Sequence, residues 1–160
     1  RMQLAQSSSF RLSLPQVWVS ANADFIFVGD FVEKKWKPVV LDLQGQVEAG
    51  HFTLRAEVLT KGALEPRPAN SEDFDLDSLN LPLMVRTRQD GDRIKPFGGS
   101  GSKKVKDILI DARIPAEQRD SLPLICDQEE ILWIPTVRRS SRGALSDSTG
   151  KVLRLSFFAQ

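Results

Sequence analysis

The chain has 160 residues and a formal net charge of +1, from 22 Lys and Arg against 21 Asp and Glu, with one cysteine and one histidine. A chain of this length can bury about 70% of the surface that its unfolded state exposes, so a self-supporting core is expected. One cysteine and one histidine exclude a disulfide scaffold and a Cys/His metal site, and no apolar run approaches the ~20 residues that span a bilayer, so we expect a soluble cytoplasmic protein without a membrane partner.

The first half of the sequence predicts short strands. Residues 1–38 indicate a strand pair that leads in from a preceding domain, and residues 39–160 indicate a C-terminal domain. Residues 52–58 alternate apolar and polar side chains, as a half-buried antiparallel strand requires. We interpret the acidic residues of segment 72–77 as a solvated loop and not as a metal site, because nothing in the sequence fixes the carboxylates relative to one another. These acidic residues are Glu72, Asp73, Asp75 and Asp77.

The second half mixes strands with helices. Residues 98–102 predict a flexible glycine loop that leads into an amphipathic helix over residues 103–112, with Ser102 as its N-cap. Pro115 interrupts this helix and suits the first turn of a second short helix through Ser121. The side chains that we expect in the core are Val105, Ile108, Leu109, Leu132 and Trp133.

More strands are predicted towards the C-terminus. Residues 124–126 and 131–134 are short β-rich runs on either side of a polar turn, which is typical of a hairpin. Residues 152–157 alternate again and are expected to close a sheet. The predicted fold class is therefore α+β, with strand-rich mixed sheets and two or three short helices.

Basic residues are concentrated in the second half. Residues 1–80 carry 8 basic and 11 acidic residues, a net of −3, whereas residues 81–160 carry 14 and 10, a net of +4. Several basic patches that one fold brings together are typical of a phosphate-binding surface, and duplex RNA, which is recognised through its shape and phosphates, suits such a surface. We expect Asp92 and Asp107 to orient the cations. The residues expected to contact phosphates are Arg86, Arg88, Arg93, Lys95, Lys103, Lys104, Lys106, Arg138 and Arg139.

The glycine loop and the three lysines after it have two interpretations of equal weight. Backbone without side chains can approach a ligand closely, and a helix start offers free N–H groups, so the segment fits an anion site. A mobile surface loop with solvated lysines fits it equally well.

Catalytic constellations are sparse. Cys126 has only His51 as a potential base, so a small buried thiol is the better interpretation. Asp92 lies beside a basic residue and fits charge pairing better than acid/base catalysis. Phe97 and Trp133 could stack on an unpaired base, although the apolar strand around Trp133 favours a core position. We therefore predict no active site and no metal site.

Several blocks of the second half match a known family. In order, they are Val85–Arg93, Pro96–Asp107, Ile110–Pro115 and Ile131–Pro135. Their order and spacing are more specific than any one block. On these residues, segment 82–157 resembles the C-terminal domain of bacterial tRNA(Ile)-lysidine synthetase.

This resemblance implies a fold and a function. The family's full enzyme is a ligase that uses ATP, with Mg, to activate the wobble cytidine of an isoleucine tRNA with a CAU anticodon, and lysine then forms the new C–N bond. Its catalytic domain carries an S-G-G-x-D-S loop, which this sequence lacks. The resemblance therefore implies a non-catalytic fragment that holds no cofactor and binds tRNA at its acceptor-stem phosphates. The family's fold implies sandwiched sheets similar to a domain of the phenylalanyl-tRNA synthetase β chain. One departure is Thr136, where the family commonly has glycine.

Two other functions stay open at this point. The chain could be an enzyme domain in its own right, with Asp92, Asp107 or Cys126 catalytic. It could also be a protein-interaction or dimerisation module, a homodimer for example, in which the basic face meets an acidic surface such as segment 72–77 of another copy.

Overall fold

A computed structural model describes residues 11–14, 17–21, 26–30 and 36–159, with side chains described from residue 36 to residue 158. The chain divides into two compact units, Arg1–Glu33 and Lys34–Gln160. The described part of the first unit is an antiparallel sheet of β1 (Arg11–Leu14), β2 (Val17–Ala21) and β3 (Ile26–Asp30) in that order. The described part of this segment has three strands, and the division into a lead-in strand pair over residues 1–38 and a domain over residues 39–160 stays a prediction.

The second unit contains two larger antiparallel sheets, a small hairpin and, among its described residues, a single α-helix. Its elements in chain order are β4 (Val39–Leu41), β5 (Gly45–Ala49), β6 (Phe52–Thr60), β7 (Ser71–Asp75), β8 (Leu83–Arg86), β9 (Arg93–Ile94), β10 (Lys103–Lys104), α1 (Val105–Asp111), β11 (Leu124–Cys126), β12 (Ile131–Ile134), β13 (Arg138–Arg139) and β14 (Lys151–Ala159), with 3-10 turns at Lys61–Ala63 and Leu76–Ser78.

The four-stranded sheet has the order β5-β6-β14-β7. β14 pairs along its whole length with β6 and on its other side with β7, so it lies inside the sheet. The alternating segment 152–157 is therefore a strand of a sheet, as predicted, and it lies inside the sheet and not at an edge. The reason is that its two polar positions are satisfied across the strands: Ser156 shares a 2.8 Å hydroxyl hydrogen bond with Ser71, and Arg154 is paired with Asp73.

The five-stranded sheet has the order β13-β12-β11-β8-β4 and contains the predicted hairpin as β11 and β12. One face of this sheet packs against the four-stranded sheet in a shared core that includes Ile125, Trp133, Leu54 and Leu153. Trp133 is 5% exposed, so its predicted core position is confirmed.

The other face of the five-stranded sheet carries α1. Leu124 and Cys126 pack there with Val105, Ile108 and Leu109, whereas Ile125 between them faces the other sheet, as strand alternation requires. The predicted core residues of the helix are confirmed. The result is a layered α+β domain, which confirms the predicted fold class.

Both ends of the predicted helix differ from the structure. α1 begins at Val105, because Lys103–Lys104 pair with β9 instead, and its N-cap Lys104 makes no side-chain capping hydrogen bond. Ser102 is therefore not the cap. After α1, the amide of Ile114 donates to Leu109 O at 2.9 Å in a Schellman-type end. The second helix through Ser121 is replaced by turns, so one α-helix is described where two or three were predicted.

Thr136 occupies a backbone conformation that suits glycine. Its φ is 61°, in the left-handed region, within the turn that joins β12 to β13. We expect Thr136→Gly to stabilise the domain by about 1 kcal/mol, because a β-branched residue is strained there. Urea unfolding measures this, with Thr60→Gly as a control because Thr60 has a φ of −88°. A loss of stability in both variants would contradict the expectation.

Candidate nucleic-acid interface

The basic residues singled out in the sequence fall into two groups in the structure. One group is engaged by carboxylates or aromatic rings of the same chain: Arg86, Arg88, Lys95 and Arg139. The other group is exposed and makes no ion pair with a described carboxylate: Arg93, Lys103, Lys104, Lys106 and Arg138. This division decides which cations are free to meet an anion.

Arg86 and Asp92 form a two-pronged ion pair at the end of β8. The guanidinium donates to the two carboxylate oxygens at 2.7 and 2.9 Å, and the amide of Gln89 donates to Asp92 at 2.8 Å. Burial alone would raise the pKa of the Asp92 carboxyl, but these hydrogen bonds and the Arg86 charge outweigh it and hold the pKa below its usual range. Asp92 therefore fixes Arg86 in place.

This depressed pKa predicts acid sensitivity. A carboxyl group whose pKa is lower in the folded state stabilises the fold above its unfolded pKa, and that stability is lost as pH falls through the folded pKa. We expect Asp92→Asn to lower stability at pH 7 and to flatten the loss of stability below about pH 4. Urea unfolding across acidic pH measures this. Asp90→Asn is the control, because the Asp90 side chain is fully exposed, and identical pH profiles for wild type and Asp92→Asn would refute the expectation.

Arg88 and Lys95 are also paired, with different consequences. The Arg88 side chain is 19% exposed and contacts Asp120 at 2.6 Å and Asp90 at 3.4 Å. Lys95 contacts Glu130 at 2.6 Å but is 58% exposed, and an exposed pair of this kind contributes little. Arg88 is thus held within the fold, whereas Lys95 can exchange its carboxylate for another anion.

Arg139 contacts two aromatic rings. Its guanidinium carbon is 4.7 Å from the Phe74 ring centre and 4.8 Å from that of Phe97, and Nη1 lies 3.4 Å from Glu72. Burial lowers the pKa of this guanidinium, with Glu72 partly opposing the effect. The two rings cover the guanidinium, which makes Arg139 a structural cation more than a free phosphate ligand.

The exposed cations are concentrated on one short hairpin. β9 and β10 pair so that Lys104 lies opposite Arg93, and Lys106 follows in the first turn of α1. We call Arg93, Lys103, Lys104 and Lys106 the basic hairpin. Like charges opposite each other on a strand pair are unfavourable, so a bound anion would relieve this arrangement.

The basic hairpin and Arg138 lie on the same side of the five-stranded sheet. Ile94 in β9 and Val105, which directly follows β10, pack in the core beneath α1. Arg138 lies opposite Ile134, which belongs to that same core, and residues directly opposite share a face. Arg93 is oriented by Ser102, with Nε to Oγ at 2.8 Å, without losing its charge.

Residues 72–75 of the predicted acidic loop belong to the strand β7, and Asp77 lies in the 3-10 turn that follows, which corrects the sequence interpretation. Glu72 contacts Arg67 at 2.9 Å and Arg139 at 3.4 Å, and Asp73 forms a buried two-pronged pair with Arg154. Their partners are distant in sequence, so no local pattern revealed this role. Asp107, expected to orient cations, is exposed and contacts no described lysine or arginine.

Asp127 is a structural residue that the sequence interpretation missed. Its side chain is fully buried, accepts the amides of Glu129 and Glu130 at 2.9 and 2.7 Å, and contacts Arg142 at 2.9 Å. An Asp at the first position of a hairpin turn was the available signal. Next to it, burial raises the pKa of the Cys126 thiol to about 11, as expected for an inert buried cysteine.

An open cavity of about 620 Å³ adjoins the basic hairpin. Arg93 and Lys95 line it together with the acidic residues Asp127, Glu129 and Glu130. The mixed charge makes it a poor pocket for phosphate. Among the described residues, no group of three or more His, Cys, Asp or Glu could hold a metal ion, and no helix there is long and apolar enough to cross a membrane.

This chain matches a known family in sequence and a solved structure in architecture. The model described as the TilS substrate C-terminal domain matches residues 83–156. A crystal structure of a TilS C-terminal domain aligns with a TM-score of 0.68 and 30% identity, covering 78% of this chain and 98% of that one. An N-terminal fragment of the phenylalanyl-tRNA synthetase beta-subunit from Pyrococcus horikoshii aligns over 54% of this chain with a TM-score of 0.48 and 19% identity.

Curated relatives are similar to most of this chain and are themselves much longer. The tRNA(Ile)-lysidine synthase of Symbiobacterium thermophilum is 37% identical over 91% of this chain and 29% of its own length. That of Clostridium perfringens is 35% identical over 81% of this chain and 27% of its own length. The chain thus spans less than a third of these relatives.

The fold and the site define an α+β domain of two packed sheets that presents an exposed basic hairpin beside its helix. Its strand order alone would not distinguish it from other domains of this class. With the family model and the matching crystal structure, the chain belongs to the family of TilS C-terminal domains.

Proposed function

We propose that this chain is the tRNA-recognition part of a tRNA(Ile)-lysidine synthase. In this proposal it holds an isoleucine tRNA in the cytoplasm by its acceptor-stem phosphates. Another part of the parent protein then uses ATP and lysine to convert the wobble cytidine to lysidine. Support comes from the description of the family as a substrate domain and from the names of the relatives.

The observation that carries the proposal is the set of exposed cations on one side of the five-stranded sheet that have no ion pair with a carboxylate in the described part of the chain. Each such cation can neutralise a phosphate and release a condensed counterion, which favours binding. Duplex RNA has a narrow major groove, so its phosphates and shape are the accessible features. The proposed phosphate ligands are Arg93, Lys103, Lys104, Lys106 and Arg138, with Lys95 beside them.

Arg86, Arg88 and Arg139 have a different role in this proposal. Their carboxylate and aromatic partners hold them in the scaffold, so they support the strands behind the basic hairpin. Substituting these three arginines would weaken RNA binding mainly because the fold is destabilised, and less because phosphate contacts are lost. This assignment narrows the phosphate surface that the sequence suggested.

Catalysis by this chain itself is the less favoured function. A thiol with a pKa of about 11 is not ionised at neutral pH, so Cys126 is a poor nucleophile. Asp92 is held by Arg86, which opposes a role as a general base. Lysidine formation by the 160-residue chain alone would favour this rival.

Self-association through segment 72–77 also lacks support. Glu72 and Asp73 are occupied by arginines of their own chain, and Asp75 accepts a hydrogen bond from Thr149 at 3.0 Å. Sedimentation velocity with and without tRNA tests the two functions together. We expect a monomer that shifts to a faster complex when tRNA is added; a concentration-dependent dimer with no shift on adding tRNA would overturn the proposal.

A further inference from the structure

Phe97 is an exposed aromatic ring in the loop between β9 and β10. The residue is 52% exposed, although its backbone is fixed: its amide donates to Arg139 O at 3.0 Å. The next turn is closed by the amide of Gly99, which donates to Pro96 O at 3.1 Å. A rigid backbone therefore presents an apolar ring to solvent.

The Phe97 ring contacts the guanidinium of Arg139. The Arg139 guanidinium carbon lies 4.8 Å from the Phe97 ring centre and 4.7 Å from that of Phe74, which is buried. Glu72 contacts the same guanidinium at 3.4 Å. The contact with Arg139, which Phe74 and Glu72 hold in turn, restricts the Phe97 ring and so lowers the conformational entropy that is lost when a ligand stacks on it.

The surroundings of the ring are open and basic. A Cβ placed on Gly98 would meet no atom within 4 Å, so the loop leaves space beside Phe97. Lys95 is two residues away and exposed, and the Arg139 guanidinium lies against the ring. A ligand that suits this place combines a flat apolar face with negative charge next to it, and an unpaired nucleotide has both properties.

We propose that Phe97 is a stacking platform for an unpaired base of the bound RNA, next to the duplex whose phosphates the basic hairpin contacts. This inference rests on the proposed function. Paired bases within a duplex have both faces covered by their neighbours, so only a base in a single-stranded end or loop can stack on the ring. Lys95, two residues from Phe97 and exposed, supplies the positive charge for a phosphate next to that base.

The test uses two RNA hairpins with the same duplex, one blunt and one with a single-stranded 3′ extension. We expect the wild-type chain to prefer the extended RNA, and Phe97→Ala to bind that RNA about tenfold more weakly while its affinity for the blunt RNA is unchanged. Phe97→Trp should restore the preference. Phe158→Ala is the matched control, because Phe158 is 41% exposed and lies beneath Arg55 in the four-stranded sheet.

Three results would overturn the stacking platform: no wild-type preference for the extended RNA, an unchanged preference in Phe97→Ala, or an equal loss on both RNAs. Melting temperatures of the variants show that each is folded. The proposed function fails separately, when removal of the basic-hairpin lysines leaves binding to both RNAs intact. If those lysines matter and Phe97 does not, only the stacking platform is wrong.

Discussion

Replacing Lys103, Lys104 and Lys106 together by glutamine should weaken tRNA binding and reduce its salt dependence. Each phosphate contact contributes about −0.9 to the slope of log affinity against log salt, which at about 0.1 M salt corresponds to about eightfold in affinity. Three lost contacts therefore predict roughly a several-hundredfold weaker complex and a slope that is less steep by roughly three units. Anisotropy titrations of labelled tRNA at several salt concentrations measure both quantities.

A matched variant separates the basic hairpin from net charge. Lys37, Arg55 and Lys151 are exposed cations outside the basic hairpin, and replacing all three by glutamine changes the charge by the same amount. We expect this control to retain most of the wild-type affinity. An equal loss in the two triple variants, or an unchanged slope in the first, would show that the basic hairpin is not the phosphate surface. Since the lysines repel Arg93 and one another, the first variant should melt no lower than wild type.

Asp73→Ala should be the most destabilising substitution considered for this fold. Arg154 lies in the central strand β14, 7% exposed, with its guanidinium 2.8 and 2.9 Å from the two Asp73 oxygens. Removing the carboxylate leaves the buried guanidinium with the Glu65 carbonyl, at 3.1 Å, as its one hydrogen-bond acceptor among the described residues, and the loss costs about 3–5 kcal/mol. Domains of this kind are stable by only about 5–15 kcal/mol, so urea unfolding should show a large shift of the midpoint.

Replacing both partners should be milder than replacing one. In Asp73→Leu with Arg154→Met no buried charge is left, so we expect most of the lost stability to return. Asp77→Ala is the control on the same segment; Asp77 is exposed, and its substitution should change stability by less than about 0.5 kcal/mol. If Asp73→Ala behaved like this control, the pair would not stabilise the sheet as inferred.

The strands and the core of this domain were accessible from the sequence because they depend on local periodicity. Residues 52–58 alternate, and the structure buries Leu54 and Ala56 while Arg55 and Glu57 stay exposed. The 3.6-residue spacing of Val105, Ile108 and Leu109 likewise identified the buried face of α1. The hairpin of β11 and β12 followed from two apolar runs around a polar turn.

What the sequence could not provide depends on contacts between distant residues. Segment 72–77 is polar enough to suggest a loop, but its residues 72–75 form part of β7, where Arg154, 81 residues away, neutralises Asp73 across the sheet. Lys103 and Lys104 continue the helical pattern, but pairing with β9 turns them into a strand. The same limitation explains why Arg86, Arg88 and Arg139 resembled free phosphate ligands: their carboxylate or aromatic partners are not identified by spacing alone.

The most direct test of the central claim is a titration of labelled isoleucine tRNA with the wild-type 160-residue chain across a range of salt concentrations. We expect saturable binding whose logarithm falls linearly with the logarithm of salt, with a slope of about −3 or steeper from the basic hairpin. Absence of binding at low salt, or an affinity that does not change with salt, would contradict the account.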